Sequence, residues 1–278
     1  MFIKIYLILN PESFSGFFFA MISTNQIKHI NSLKIGKFRR TYNQFLLEGK
    51  KSVCDLLKSD FEIIEIFSLK NWINNNFELL KEKNIEILEI NEKELSRISS
   101  LKTPNDVIAI VKIPQNELIP KNVFSGLCLV LDEIKDPGNL GTIIRTADWF
   151  GIENIICSEN SVDVYNPKVV QATMGSITRV KVYYTQLVEF LSSKPSEIKI
   201  FGTLLEGDNI YKKQLAENAI ILIGNESHGI SKELLPLIEE KISIPKGTGN
   251  KQDMAESLNA SIATAIICSE FCRRKSFF

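Results

Sequence analysis

The strongest constraint on this chain lies between residues 123 and 275, where short, largely apolar runs alternate with helical segments. The runs are Leu127–Leu131, 155–157, 180–183, 198–201, 220–223 and 242–244. A strand with one face in water alternates polar and apolar residues; one with no polar member is buried on both faces. Helical patterns at 140–150, 169–174, 232–238 and 257–273 separate these runs. The expectation is an α/β fold whose mostly parallel sheet carries helices on both faces.

Residues 24–113 read as a smaller α/β unit. Strands are expected at 45–47, 61–67, 85–90 and 107–111, with helices at 50–57 after Gly49, at 72–83, and from an Asn91 cap to Ile98. Pro114 and Pro120 bracket a polar linker at 114–122. Domains are therefore expected at 24–113 and 123–275, after an extension at 1–23. The first twenty residues carry Lys4 and the run Phe17-Phe18-Phe19, a faint likeness to a secretory leader. Pro11, Glu12 and Ser13 interrupt it, so a disordered extension or an upstream start is expected instead.

Composition removes some functions. Lys and Arg number 33, as do Asp and Glu, so no global charge draws the chain to a polyanion. Any nucleic-acid contact must be local. Residues 24–60 hold eight basic residues (Lys28, Lys34, Lys37, Arg39, Arg40, Lys50, Lys51, Lys58) against Glu48, Asp55 and Asp60. Alone, such a run reads as a solvated helical face. The five cysteines lack metal-site spacing: Cys128 and Cys157 sit in apolar runs as core thiols, Cys54 stands apart, and Cys268 and Cys272 share a helical face. That pair would need two more ligands from His29 and His228, so no metal and reduced thiols in a cytoplasmic protein are expected. No apolar stretch approaches the length that spans a membrane.

Three motifs carry chemistry. Asn139-Leu140-Gly141-Thr142-Ile143-Ile144-Arg145 follows the first apolar strand, and Asp136-Pro137-Gly138-Asn139 is a turn in which Asn139 is placed to cap a helix. Ile143, Ile144 and Ala147 suit packing, whereas Arg145 does not. Gly224-Asn225-Glu226-Ser227-His228-Gly229 ends the apolar run at 220–223, where a residue without a side chain permits close backbone approach. Ile244-Pro245 precedes Ser257-Leu258-Asn259, with Ser257 the expected N-cap of the last helix. The loop between them, 246–256, carries Lys246 and Lys251 around Gly247-Thr248-Gly249 but lacks phosphate-loop spacing. Gly138-Asn139-Leu140-Gly141 is not the dinucleotide fingerprint either, which disfavours a Rossmann methyltransferase or dehydrogenase.

In this order, the three motifs resemble those of the SpoU (TrmH-like) RNA ribose 2′-O-methyltransferases of the SPOUT superfamily, over roughly residues 24–273. Phe45-Leu46-Leu47-Glu48-Gly49 and Thr103-Pro104-Asn105-Asp106-Val107-Ile108-Ala109 are similar to the start and end of that family's substrate-binding domain, which has a ribosomal-protein-like fold. The resemblance implies a trefoil-knotted sheet, S-adenosyl-L-methionine as cofactor, and methylation of structured RNA. Ribosomal RNA is the first expectation and transfer RNA the second; methylation of a base, or a non-catalytic RNA-binding or ribosome-assembly role, is the alternative. It also implies a catalytic set of Arg145, Asn139, Glu226, Ser257 and Asn259. Thr203, Leu204, Gly224, Asn225, Ile244, Pro245, Ser257 and Leu258 are the implied cofactor contacts, and Lys37, Arg39, Arg40, Lys50 and Arg145 the implied RNA contacts. Ala172-Thr173-Met174-Gly175-Ser176 is similar to a family segment on the RNA side, although Gly175 alone reads as a helix stop. The family works as a homodimer, for which the helix bearing Ile262, Ala263, Ala265, Ile266 and Ile267 is a candidate surface. His228 reads as structural. An arginine suits the reaction because guanidinium holds phosphate in a fixed geometry and stays charged; with a pKa above 12 it is a poor base.

Overall fold

The structure, a computed structural model, describes residues 21–81, 83, 85–115, 123–247 and 255–273. The extension at 1–20, most of the linker and the middle of the 246–256 loop lie outside the described residues. The chain forms two compact units. One comprises the chain up to Gln115 together with Tyr165–Thr178, and the other the remainder. Tyr165–Thr178, expected within the second domain, joins the first unit.

In the first unit, α1 (Thr24–Ser32) and α2 (Gly36–Tyr42) precede β1 (Gln44–Glu48), α3 (Lys50–Leu57) and β2 (Ile63–Ser68). Then come α4 (Lys70–Asn75), α5 (Phe77–Lys81), β3 (Glu86–Glu89), α6 (Glu92–Ile98) and β4 (Val107–Lys112). The sheet runs β1-β4-β2-β3, with β4 antiparallel to both neighbours and β2 parallel to β3. Its core gathers Ile30, Leu33, Leu46, Phe67, Leu95 and Ile108. Asn91 caps α6 as expected, in a reciprocal capping box with Glu94. The single helix expected at 72–83 is broken at Asn76 (φ −119°), whose Nδ2 donates to the Trp72 carbonyl at 2.8 Å. A side chain that engages its own backbone offers the chain an alternative to the helix.

Tyr165–Thr178 joins this unit through side chains. The Tyr165 and Phe45 rings lie 4.7 Å apart, and α8 (Pro167–Ala172) packs on β1. The chain then turns through Met174 (φ 51°) and Gly175 (φ 96°). A Cβ on Gly175 would lie 2.5 Å from the Asp55 carboxylate, so both backbone angle and space call for glycine.

The second unit is a six-stranded, wholly parallel sheet in the order β10-β8-β9-β5-β6-β7. Its elements are β5 (Leu127–Leu131), α7 (Pro137–Trp149), β6 (Asn154–Ser158), β7 (Lys181–Thr185), α9 (Leu187–Ser192), β8 (Lys199–Asn209), β9 (Ala219–Ile223), β10 (Glu240–Ser243) and α10 (Ala260–Arg273). β5 and β9 are buried at every position, as apolar runs demand. Burial pushes the thiols of Cys128, Cys157 and Cys268 upward, which fits core thiols. The helix expected at 232–238 is only a 3-10 turn, Leu235–Leu237, because Pro236 lacks a donor and restricts the residue before it.

Candidate active site

Parallel strands of an open sheet deliver their loops to one edge, and ligands bind beyond the carboxyl ends of such strands. The three motifs follow β5, β9 and β10. The first loop begins with Asp132, buried, whose Oδ2 accepts from the Ser231 backbone N–H at 2.7 Å. Glu133 follows at φ 52°, an uncommon angle outside glycine. Its carbonyl accepts from Asn225 Nδ2 at 2.7 Å, and its own N–H donates to Ser158 Oγ at 2.8 Å. Asp136 then caps α7: its Oδ1 accepts from the Asn139 N–H at 2.7 Å, and Pro137 occupies the first turn, where no donor is needed. The expected cap, Asn139, is thus displaced by Asp136. Asn139 lies one turn in, and its side chain is released for another use.

That use joins the motifs. Asn139 is 8% exposed. Its Nδ2 donates to Glu226 Oε1 at 2.8 Å, and its Oδ1 accepts from Asn259 Nδ2 at 2.8 Å. The partners lie 87 and 120 residues away in sequence. An amide can donate to a carboxylate and accept from another amide at once. Asn259 in turn caps α10: its Oδ1 accepts from Ser261 N, Ser261 Oγ and Ile262 N at 2.9, 2.7 and 3.3 Å. This corrects the expected cap, since Ser257 lies two residues before Asn259 and is exposed.

Gly224 is also required by the fold of its own loop. Asn225 and Gly229 bridge backbone to backbone, with N–H to O distances of 2.9 and 3.0 Å, folding the second motif into a tight loop. A Cβ at 224 would lie 2.3–2.6 Å from the backbone of Gly229 and Ile230. The loop's own closure therefore demands this glycine. His228, at its tip, is exposed and lies 3.9 Å from Glu133 Oε2, at the outer limit of an ion pair.

Thr203 and Leu204 begin a bulge. β8 pairs with β10 at Phe201 and Gly202, then resumes at Asp208 and Asn209. Thr203 Oγ1 donates to the Leu222 carbonyl at 3.1 Å, and Leu204 packs on the core of this unit. Ile244 is half-buried after β10, and Pro245 and Leu258 are exposed. These segments offer backbone and apolar surface with few charged groups, the donor set by which an adenosine is held through main chain and packing.

Arg145 is exposed on α7 and pairs with no carboxylate among the described residues. The structure thus brings Asn139, Glu226 and Asn259 into one hydrogen-bonded chain and leaves Arg145 and Ser257 outside it. Among the predicted RNA contacts, Lys37 and Arg40 are exposed and Lys50 pairs with Asp106 at 2.8 Å, whereas Arg39 is buried.

Sequence comparison bears on the same residues. A family model described as the SpoU rRNA Methylase family matches residues 126–269, which contain all three motifs. The chain belongs to the SpoU rRNA methylase family. A second model, the MRM3-like substrate binding domain, matches residues 24–109. The 23S rRNA (guanosine(2553)-2′-O)-methyltransferase RlmP of Bacillus subtilis is 29% identical over 87% of this chain and 94% of its own. Among solved structures, a TrmH-family protein from Porphyromonas gingivalis superposes with a TM-score of 0.82 at 37% identity, covering 92% of this chain and 100% of that one. The AdoMet-bound rRNA methyltransferase of Sinorhizobium meliloti does so at 0.78 and 27% identity, covering 91% and 97%.

Within this SpoU methylase, Asp132, Glu133 and Asp136 are the site residues that sequence reasoning passed over. Asp136 carried a readable signal, an acid directly before proline at a helix start. Asp132 and Glu133 carried none, because their roles are bonds to residues 99 and 92 positions away.

Proposed function

We propose that this protein transfers a methyl group from S-adenosyl-L-methionine to a ribose 2′-hydroxyl of ribosomal RNA. The observation that carries the reading is the Glu226–Asn139–Asn259 chain of hydrogen bonds, which ties together the loops after β9, β5 and β10. Named relatives acting on 23S rRNA support the choice of RNA. When bound, the cofactor supplies an electrophilic methyl group. Thr203, Leu204, Gly224, Asn225, Ile244, Pro245, Ser257 and Leu258 would hold it, through backbone and apolar contact.

A ribose hydroxyl is a weak nucleophile whose oxygen gains negative charge as its proton leaves. Arg145, exposed and free of a carboxylate partner among the described residues, is suited to hold the adjoining phosphate and stabilise that charge. Its guanidinium stays protonated, so phosphate or water takes the proton. The Asn139 network fixes the start of α7 and with it the helix that carries Arg145.

The working form is a homodimer in this reading. α10 packs on α7, and its inner residues Ile267 and Cys268 are buried within the chain. Two large apolar side chains on these helices are left in water: Trp149 is 84% exposed and Ile262 52%. Burying them against a second copy would account for their exposure. The trefoil threading of the sheet belongs to the same reading, and the strand order β10-β8-β9-β5-β6-β7 supports it.

The test is transfer of labelled methyl from S-adenosylmethionine to ribosomal RNA from cells lacking this gene, with nucleoside identification. A 2′-O-methylated nucleoside from the wild type, absent with Arg145→Ala, is expected. A methylated base, or no product from any RNA, would overturn the assignment.

A further inference from the structure

Among the described residues of the six-stranded unit, Glu133 is the one non-glycine residue with a positive φ, at 52°. In that left-handed region a Cβ crowds the following carbonyl oxygen, so glycine sits there freely and glutamate does not. Such a backbone persists only where its surroundings hold it, and positions of this kind cluster at functional sites.

The surroundings here are the loops on either side. β5 lies between β9 and β6 in the sheet, and Glu133 stands just beyond its end. The backbone of Glu133 reaches both neighbours. Its N–H donates to Ser158 Oγ, at the end of β6, at 2.8 Å. Its carbonyl accepts from Asn225 Nδ2, after β9, at 2.7 Å. The half-buried side chain repeats the pattern. Oε1 accepts from Asn160 Nδ2 at 3.1 Å on the β6 side, and Oε2 lies 3.9 Å from His228 Nε2 on the β9 side. Lys135 closes the β6 side, donating from Nζ to the Asn160 carbonyl at 2.6 Å and lying 3.5 Å from Glu133 Oε2.

The carbonyl bond leads to the second motif. Asn225 Oδ1 accepts from the Ser227 N–H at 2.8 Å, and the backbone of Asn225 bridges to Gly229. The Glu133 carbonyl therefore grips the side chain that shapes the whole loop carrying Glu226.

We propose that Glu133 is a positioning residue for the cofactor. Its carboxylate, held by Asn160 and Lys135, offsets the strain of the left-handed backbone. That backbone aims the carbonyl at Asn225, and the bond to Asn225 keeps the loop after β9 in its binding shape before S-adenosylmethionine arrives. The carboxylate itself touches neither cofactor nor RNA. Without it, the residue relaxes to an ordinary φ, the carbonyl turns away, and the loop must be ordered at the expense of binding. The role rests on the reading of S-adenosylmethionine as cofactor and adds what prepares its loop.

The test is calorimetric titration of the full chain with S-adenosylmethionine, run well below the thermal midpoint of every variant so that unfolding does not enter. Glu133→Ala keeps the strain and loses the support, and should weaken binding about tenfold. Glu133→Gly also lacks the carboxylate but accepts the positive φ, and should recover to within about threefold of wild type. Glu133→Gln keeps an acceptor for Asn160 and should recover likewise. Asn160→Ala should weaken binding roughly threefold in the wild type and not at all on top of Glu133→Gly. Methyl transfer by Glu133→Ala at saturating cofactor should stay within about threefold of wild type, because Glu226 keeps its bond from Asn139. Rescue by glycine is the outcome that neither a substrate-touching carboxylate nor a merely structural side chain would give. Wild-type affinity in Glu133→Ala, or a glycine variant as impaired as the alanine one, would overturn the role. If the wild type binds the cofactor and Glu133→Ala binds it equally well, the role fails and the methyltransferase reading stands. If the wild type binds no S-adenosylmethionine, the cofactor reading falls and the role falls with it.

Discussion

Asn139 in the six-stranded unit is almost fully buried and bonds to side chains 87 and 120 residues away, whereas Lys37 and Arg40 in the four-stranded unit are exposed and pair with no acid among the described residues. The two units thus use polar residues in opposite ways. In the first case each member is positioned by the others, so loss of Glu226 or Asn259 leaves the buried Asn139 amide without one of its partners. In the second each cation acts through its field, so losses should be graded, additive and salt-dependent. Chemistry that needs fixed geometry belongs with the first arrangement, and capture of a large polyanion with the second.

The largest expected effect falls on Arg145. Arg145→Ala should lower single-turnover methyl transfer by about 10³-fold, roughly 4 kcal/mol, with cofactor affinity unchanged by calorimetry. If it raised only the KM for RNA, as the surface lysines should, the division between the units would collapse. Asn139→Asp should come next. It keeps the shape but removes the donor to Glu226 and sets a carboxylate against it. Turnover should fall about 10²-fold, and stability by ~2 kcal/mol in a urea melt. Adding Glu226→Gln returns a donor on the other side, so partial recovery in the double variant would show that the pair acts as a unit.

Gly224→Ala should cost about 1–3 kcal/mol, because the new Cβ must displace the backbone of Gly229 and Ile230. Chemical denaturation measures this, and an unchanged midpoint would mean that the loop yields freely.

The remaining effect, confined to high pH, is a pH dependence in the four-stranded unit. Burial, reinforced by Glu86 on the neighbouring strand and opposed by a hydrogen bond from Gln26, raises the Glu65 carboxyl from 4.5 to about 7. The folded protein then holds this proton more tightly than the unfolded chain. Its contribution to stability is complete below pH 4.5 and is lost as pH rises through about 7. Glu65→Gln should remove this loss, a gain of ~2 kcal/mol at pH 8 and little at pH 4.5, read from thermal melts at both. Equal melting shifts at the two values would exclude titration as the cause.

Particular residues mark how much could be read from the chain. β5 and β9 were legible because a strand buried on both faces must be apolar throughout. The cap of α6 was legible because a capping box is local, with both partners within four residues. The short α9 went unassigned, because six residues hold too few turns to show a period. β8 runs on to Asn209, well past its apolar stretch, because its later residues pair again with β10 after the bulge. The three motifs pointed to Asn139, Glu226 and Asn259, which the structure joins by hydrogen bonds, and to Arg145, which it leaves outside that network.

By itself the sequence determined the class of sheet, the order of its elements and the family, since these follow from periodicity and from motifs a few residues long. Only the tertiary structure decided what each polar side chain does. Arg39 and Arg40 are chemically identical neighbours, yet one is sealed against carbonyls and the other stands in water. About 100° of helix rotation separates them, and the phase of that rotation is set by packing. Asn139 looked like a cap and became the centre of the site for a similar reason. Asp136 took the local role, and the partners that claimed Asn139 reach it only once the sheet has formed.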